Sequence, residues 1–287
     1  MTARPTLAAA IRPATLDDVP EIRSIFVEHG NDGPIEGADI VGPYLRHLIE
    51  AGRSLVVDDG PGLAAFGATL PTGRGRHLTD LFVRRDRLGQ GIGRPLLDAV
   101  FGDDWPRTTF ASDDPRAMPL YIRAGMTPLT TCMYLDGPAA RVPALGAGLT
   151  NADADAATIA DLEREWTGLD RSVDHAFWAT QAEPDSFVIL EGGVPVAAGP
   201  ARARQKTASR ALDRLVIRPA VDPVGPICAA LTRAARGGTV MATFLGPNRA
   251  VRPLLEAGFR IEDRDTFMAS DPDLVDPDRL LPNPGML

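Results

Sequence analysis

Lysine is almost missing from this chain: of 30 basic residues only Lys206 is not arginine, a bias we read as genomic rather than functional. Acidic residues outnumber basic ones, 38 to 30, and the formal net charge is −8. A surface short of cations cannot neutralise a phosphate backbone, so no nucleic-acid partner is expected. Cysteine is scarce too. Cys132 and Cys228 stand far apart in apolar segments and read as small buried hydrophobes rather than a disulfide or a catalytic thiol. His29, His47, His77 and His175 have no metal-ligand spacing, and no metal is expected. No apolar run approaches the roughly 18 residues of a membrane span, and the first residues lack the apolar core of a signal peptide. A cytoplasmic chain without membrane association is therefore expected. With 44% hydrophobic and 24% charged residues over 287 positions, the composition suits one large or two ordinary globular domains.

The most informative stretch is Leu81 to Val100, which reads as a strand, a glycine-rich turn and a helix. Gly89, Gly91 and Gly93 alternate in the turn, letting backbone N–H groups approach an anion at a helix N-terminus. Arg84, Arg85, Arg87 and Arg94 surround it, a local cationic cluster in an acidic chain that suits a polyphosphate ligand. A Walker loop is excluded because its lysine and hydroxyl are missing. A dinucleotide fingerprint is excluded because Arg94 stands where its third glycine belongs. The stretch resembles the acyl-CoA pyrophosphate loop of the GNAT (GCN5-related) N-acetyltransferases, [QR]-x-x-G-x-[GA] after a strand ending in valine. Val83, Gly91 and Gly93 match, whereas Leu88 stands where Gln or Arg is usual and Arg87 comes one place early. By this resemblance Phe82, Val83, Arg87, Leu88, Gly89, Gln90, Gly91, Ile92, Gly93 and Arg94 bind acetyl-CoA as cosubstrate. Residues 114–126 resemble the second GNAT signature, N-x-x-A-x-x-x-Y-x-x-x-G-F, through Ala117, Tyr121 and Gly125. Asp114 replaces the Asn that contacts the pantetheine arm, and Met126 replaces the Phe.

Element signals follow the GNAT order. A strand from Ile11, a Thr15 cap, a helix to about His29 and a second helix over 40–51 precede strands at 54–57, 62–70 and 76–83. After the loop and its helix come a strand at 108–111, a helix over 115–124 stopped by Gly125, and a strand at 131–135. The series then recurs. At an offset of 134, Leu78, Leu81, Val83, Arg84, Gly91 and Leu97 fall on Leu212, Leu215, Ile217, Arg218, Gly225 and Leu231. At 133, Arg116, Ala117, Ala124, Gly125 and Tyr134 fall on Arg249, Ala250, Ala257, Gly258 and Phe267. We therefore expect a mixed α/β chain of two tandem GNAT-like domains, each a mostly antiparallel twisted sheet flanked by helices. The domains span 7–137 and 140–270, and 271–287 form a tail lying over one of them or over a partner. In the second copy Pro223 and Pro226 remove backbone donors, Asp222 repels phosphate and Leu254 stands at the Tyr121 position, so that half is expected to be inert.

The resemblance implies an acetyl-CoA-dependent N-acetyltransferase that moves an acetyl group directly to a primary amine of a small molecule or peptide, as a monomer or homodimer. Tyr121 inherits the role of the acid that protonates the leaving thiolate. An amine of pKa about 10.4 is neutral in only about one molecule in a thousand at pH 7, so a proton path is needed, and Asp80 and His77 are the candidates. Asp32 and Glu36, in the loop between the first two helices, are the candidates for binding a cationic acceptor. A noncatalytic acyl-CoA sensor and a structural interaction protein stay open as alternatives.

Overall fold

Residues 62–71 are apolar at nearly every position, too continuous for a strand with one wet face, and they form the strand β3 (Gly62–Pro71), buried almost throughout. Both faces of β3 need cover. On one face lie α1 (Val19–Glu28), through Ile22, Ile25 and Phe26, and α2 (Val41–Ala51), through Leu45 and Leu48. On the other lies α3 (Gly93–Phe101), through Leu96, Leu97, Val100 and Phe101. The structure, a computed structural model, describes residues 11–30, 41–146, 148–204 and 207–287. Among these residues no helix is long and apolar enough to cross a membrane.

The first copy comprises β1 (Ile11–Pro13), β2 (Arg53–Asp59), β3, β4 (Arg76–Val83), β5 (Arg107–Ala111), α4 (Ala117–Arg123) and β6 (Thr127–Pro138) besides the helices above. The second repeats it element for element. It runs β7 (Thr150–Asp153), α5 (Ala156–Thr167), α6 (Ser172–Trp178), β8 (Asp185–Glu191) and β9 (Val194–Ala203). It continues with β10 (Ser209–Leu212) and β11 (Leu215–Ile217) in place of β4, then α7 (Val224–Ala235), β12 (Thr239–Leu245), α8 (Val251–Glu256) and β13 (Arg260–Ala269). The mixed sheet is mostly antiparallel and continuous across both copies.

The copies are not side-by-side units. The strand order runs β4, β5, β13, β6, β12, β10, so the fifth strand of each copy pairs with the last strand of the other. The last strands β6 and β13 pair with each other at the centre. This explains why the strand expected over 131–135 extends to Thr127–Pro138: it is hydrogen-bonded along both edges. The spatial halves thus differ from the sequence repeats 7–137 and 140–270 by an exchange of terminal strands. The tail also departs from expectation. It does not lie over a surface but inserts: β14 (Leu280–Leu281) pairs with β11, and Leu280, Leu281, Met286 and Leu287 are buried. Burying these apolar side chains in the seam, at roughly 1.5–3 kcal/mol each, offsets the loss of chain freedom.

Candidate active site

β4 and β5 are parallel and pair only at Arg76–Leu78 with Arg107–Thr109, then diverge. A bulge at Thr79, between Ala68↔Asp80 and Thr69↔Leu78, turns the rest of β4 so that residues from Leu78 to Val83 face the opening. The wedge between the diverging strands is a cavity of about 840 Å³. The glycine-rich turn borders one end of it. Gly89 and Gly91 have φ of 75° and 78°, and a side chain at either would meet nothing within 4 Å, so backbone is presented to open space at the N-terminus of α3. This is a cradle that fits a pyrophosphate.

The same cavity holds the groups suited to proton transfer. Tyr121, on α4, is only 8% exposed and lines the cavity; among the described residues its hydroxyl has no hydrogen-bond partner. Burial, reinforced by the charges of Asp80, Asp114 and Asp265, raises its pKa. Asp80 accepts a hydrogen bond from the Tyr44 hydroxyl at 2.7 Å, and burial lifts its pKa to about 6. The Tyr44 oxygen also lies 3.0 Å from the Gly285 carbonyl, so the tail props the Asp80 side of the cavity.

Of the residues expected to bind acetyl-CoA, Phe82, Val83, Leu88, Gly89, Gly91, Gly93, Arg94 and Asp114 line this cavity. Arg87, Gln90 and Ile92 do not: Arg87 is held by Asp59 at 2.5 Å, Gln90 donates to the Asp86 carbonyl, and Ile92 is core. The expected arginine cluster is largely spoken for. Arg84 faces Glu28 and Glu21 on α1, and Arg94 pairs with Asp98 across an exposed helix turn, a contact worth only about 0.3–0.5 kcal/mol and easily surrendered to a ligand. Asp114 accepts from the Arg116 backbone and guanidinium, which holds its pKa down; its carboxylate is therefore already engaged at the mouth.

His77 does not reach the cavity. It is fully buried, its ring nitrogens lie 3.0 Å from Thr108 Oγ1 and 3.1 Å from the Pro284 carbonyl, and burial lowers its pKa to about 3. A neutral imidazole with both nitrogens engaged clamps the tail rather than moving a substrate proton. Asp32 and Glu36 lie outside the described residues. Sequence reasoning missed His29, Tyr134, Asp265, Pro284 and Gly285, all of which line the cavity, and Tyr44 behind Asp80. Asp265 and the tail residues come from the second repeat and beyond, where no local motif marks them.

The matching wedge of the second copy is filled. β10 and β12 pair in the same parallel register, but beyond it β14 occupies the gap beside β11, and Thr243 donates to the Pro282 carbonyl. At the N-terminus of α7, a side chain on Gly225 would stand 3.0 Å from the Leu145 carbonyl, so the segment joining the copies covers the position that matches Gly91.

Comparison with known proteins matches no family model and no curated protein sequence. Solved structures do match along nearly the whole chain. A Pyrococcus horikoshii protein named as a candidate acetyltransferase superposes with a TM-score of 0.67 at 16% identity, over 96% of this chain and 93% of that one. A tandem GNAT protein from the clavulanic acid biosynthesis pathway gives 0.61 at 14%, over 92% and 99%. A GCN5-related N-acetyltransferase from Sphaerobacter thermophilus gives 0.58 at 14%, over 96% and 98%. Alignment over almost the full length of a tandem protein, together with the divergent β4/β5 wedge and its duplicate, assigns the architecture: this chain carries the GNAT fold twice.

Proposed function

We propose that the protein is an acetyl-CoA-dependent N-acetyltransferase that transfers an acetyl group directly to a primary amine, in the first copy only. The observation that carries this reading is the juxtaposition, in one cavity, of a glycine-opened helix N-terminus with a largely buried tyrosine whose hydroxyl is unpartnered among the described residues and a carboxylate of pKa about 6. Acetyl-CoA, when bound, supplies a thioester open to attack by an amine, with the coenzyme A thiol as the leaving group.

The chain's own groups then have defined tasks. N–H groups of residues 89–94 bind the pyrophosphate, and Arg94 exchanges Asp98 for phosphate. The bulge in β4 leaves backbone donors on the open edge, free to polarise the thioester carbonyl. Asp80, deprotonated above about pH 6, takes a proton from the incoming ammonium. Tyr121 gives its proton to the departing sulfur and is restored by the second proton that the nitrogen loses on becoming an amide. One proton thus ends on the thiol and one leaves to solvent through Asp80. The engagement of Asp114 by Arg116 favours one rival, a noncatalytic acyl-CoA sensor. Thiol release from acetyl-CoA across a panel of amines and peptides decides between them: amine-dependent release supports the enzyme, and binding without release supports the sensor.

A further inference from the structure

Beyond the reacting amine, the cavity holds a second acidic position that the transfer chemistry does not use. Asp265 lies on β13, the strand contributed by the second copy, and accepts a hydrogen bond of 2.7 Å from the hydroxyl of Tyr134 on β6. Its environment repeats that of Asp80, a half-buried carboxylate held by one tyrosine hydroxyl. Neither has a basic partner among the described residues. Three arginines line the cavity: Arg94 and Arg116 pair with Asp98 and Asp114, and Arg123, at the end of α4, makes no ion pair with Asp80 or Asp265. Carboxylates withdrawn from water without a countercharge are costly, and their burial raises both pKa values; a cation entering the cavity would relieve both. Tyr121, more than nine-tenths buried and with no hydrogen-bond partner for its hydroxyl among the described residues, lines the same cavity, and both carboxylates, with Asp114, act on it electrostatically.

We propose that the acceptor is a small diamine, its reacting nitrogen delivered to Asp80 and Tyr121 and its distal ammonium held by Asp265. The proposal rests on the acetyl-transfer reading above. Spacing is consistent with it. β5 lies between β4 and β13, so the strands bearing the two carboxylates are at least about 10 Å apart at about 4.8 Å per paired strand, and farther at Asp80, where β4 has left β5. Bridging such a gap takes an aliphatic chain of about four carbons or more, with a charge-assisted hydrogen bond of about 2.8 Å at each end. The strand exchange thereby acquires a use: the second copy, closed to acetyl-CoA, supplies the residue that selects the acceptor.

The test compares 1,4-diaminobutane with 1-aminobutane in the thiol-release assay. The wild type should favour the diamine in kcat/KM by about tenfold to a hundredfold, the range for a hydrogen bond to a charged group. Asp265→Asn, checked for folding by its retained acetyl-CoA binding, should reduce that preference at least about tenfold, mainly through KM. Equal use of the two amines by the wild type overturns the diamine assignment and leaves acetyl transfer standing. So does an unchanged preference in folded Asp265→Asn. If acetyl-CoA binds but neither these amines nor the wider panel releases thiol, the acetyl-transfer reading itself falls, and this inference with it.

Discussion

The cavity pushes Tyr121 and Asp80 in the same direction, toward holding their protons, because both are withdrawn from water. For Asp80 this is useful: a carboxylate near 6 is ionised at neutral pH yet basic enough to take a proton. The acceptor kcat/KM should therefore rise as pH increases through about 6, and Asp80→Asn should remove that limb of the profile; a wild-type profile flat from pH 5 to 7 would count against Asp80 as base. The same shift has a cost to the fold. A folded-state pKa raised above 3.8 means stability that is full below the unfolded value and lost as pH rises through about 6, so Asp80→Asn should melt at a higher temperature than the wild type at pH 8. A raised tyrosine is a weaker acid in water, but a thiolate in the same dry space holds its proton more strongly as well. Tyr121→Phe should lower kcat by roughly 10²–10⁴ with acetyl-CoA affinity little changed. A chemical step measured at the wild-type rate in that variant would return Tyr121 to a packing role.

At the scale of elements, the site is a fault in a sheet. β4 and β5 begin paired and are driven apart, and the bulge at Thr79 turns the freed edge toward the opening. Gly91→Val places a β-branched residue at φ 78° and a side chain where the ligand belongs, so binding should disappear, while the wild type should titrate to one site per chain in calorimetry. Two equivalent sites would contradict the filling of the second wedge by β14. These features were unequally legible. Gly89, Gly91, Gly93 and Tyr121 announce themselves because phosphate binding and helix spacing demand local patterns. Alternation alone does not fix the orientation of Asp80, since a one-residue bulge reverses which face a side chain takes. His77 looked like a base because its type and strand were right. Its occupation depends on Pro284, 207 residues away, and nothing local encodes that. The pairing of Arg84 and Arg87 is hidden for the same reason, their carboxylates Glu21, Glu28 and Asp59 being on other elements.

Over the whole molecule, the exchanged strands and a buried polar seam make the two copies one cooperative body. Arg171, fully buried, is paired with Asp174 at 3.1 Å, and Asp174 also lies 2.7 Å from His47 of the first copy. Arg171 in addition donates to the Pro71 carbonyl of that copy and to Met286 of the tail. Asp174→Ala leaves a buried guanidinium without its countercharge and should cost about 3–5 kcal/mol in urea unfolding. The wild type should unfold in a single transition by both circular dichroism and tryptophan fluorescence; two separated transitions would mean that the copies are independent. The exchange also orders events in time. The free edge of β5 emerges from the ribosome about 150 residues before β13 exists to cover it. At synthesis rates of roughly 5–20 residues per second, that edge waits on the order of ten seconds in the cell, so the nascent first half is an aggregation risk that the finished protein no longer shows.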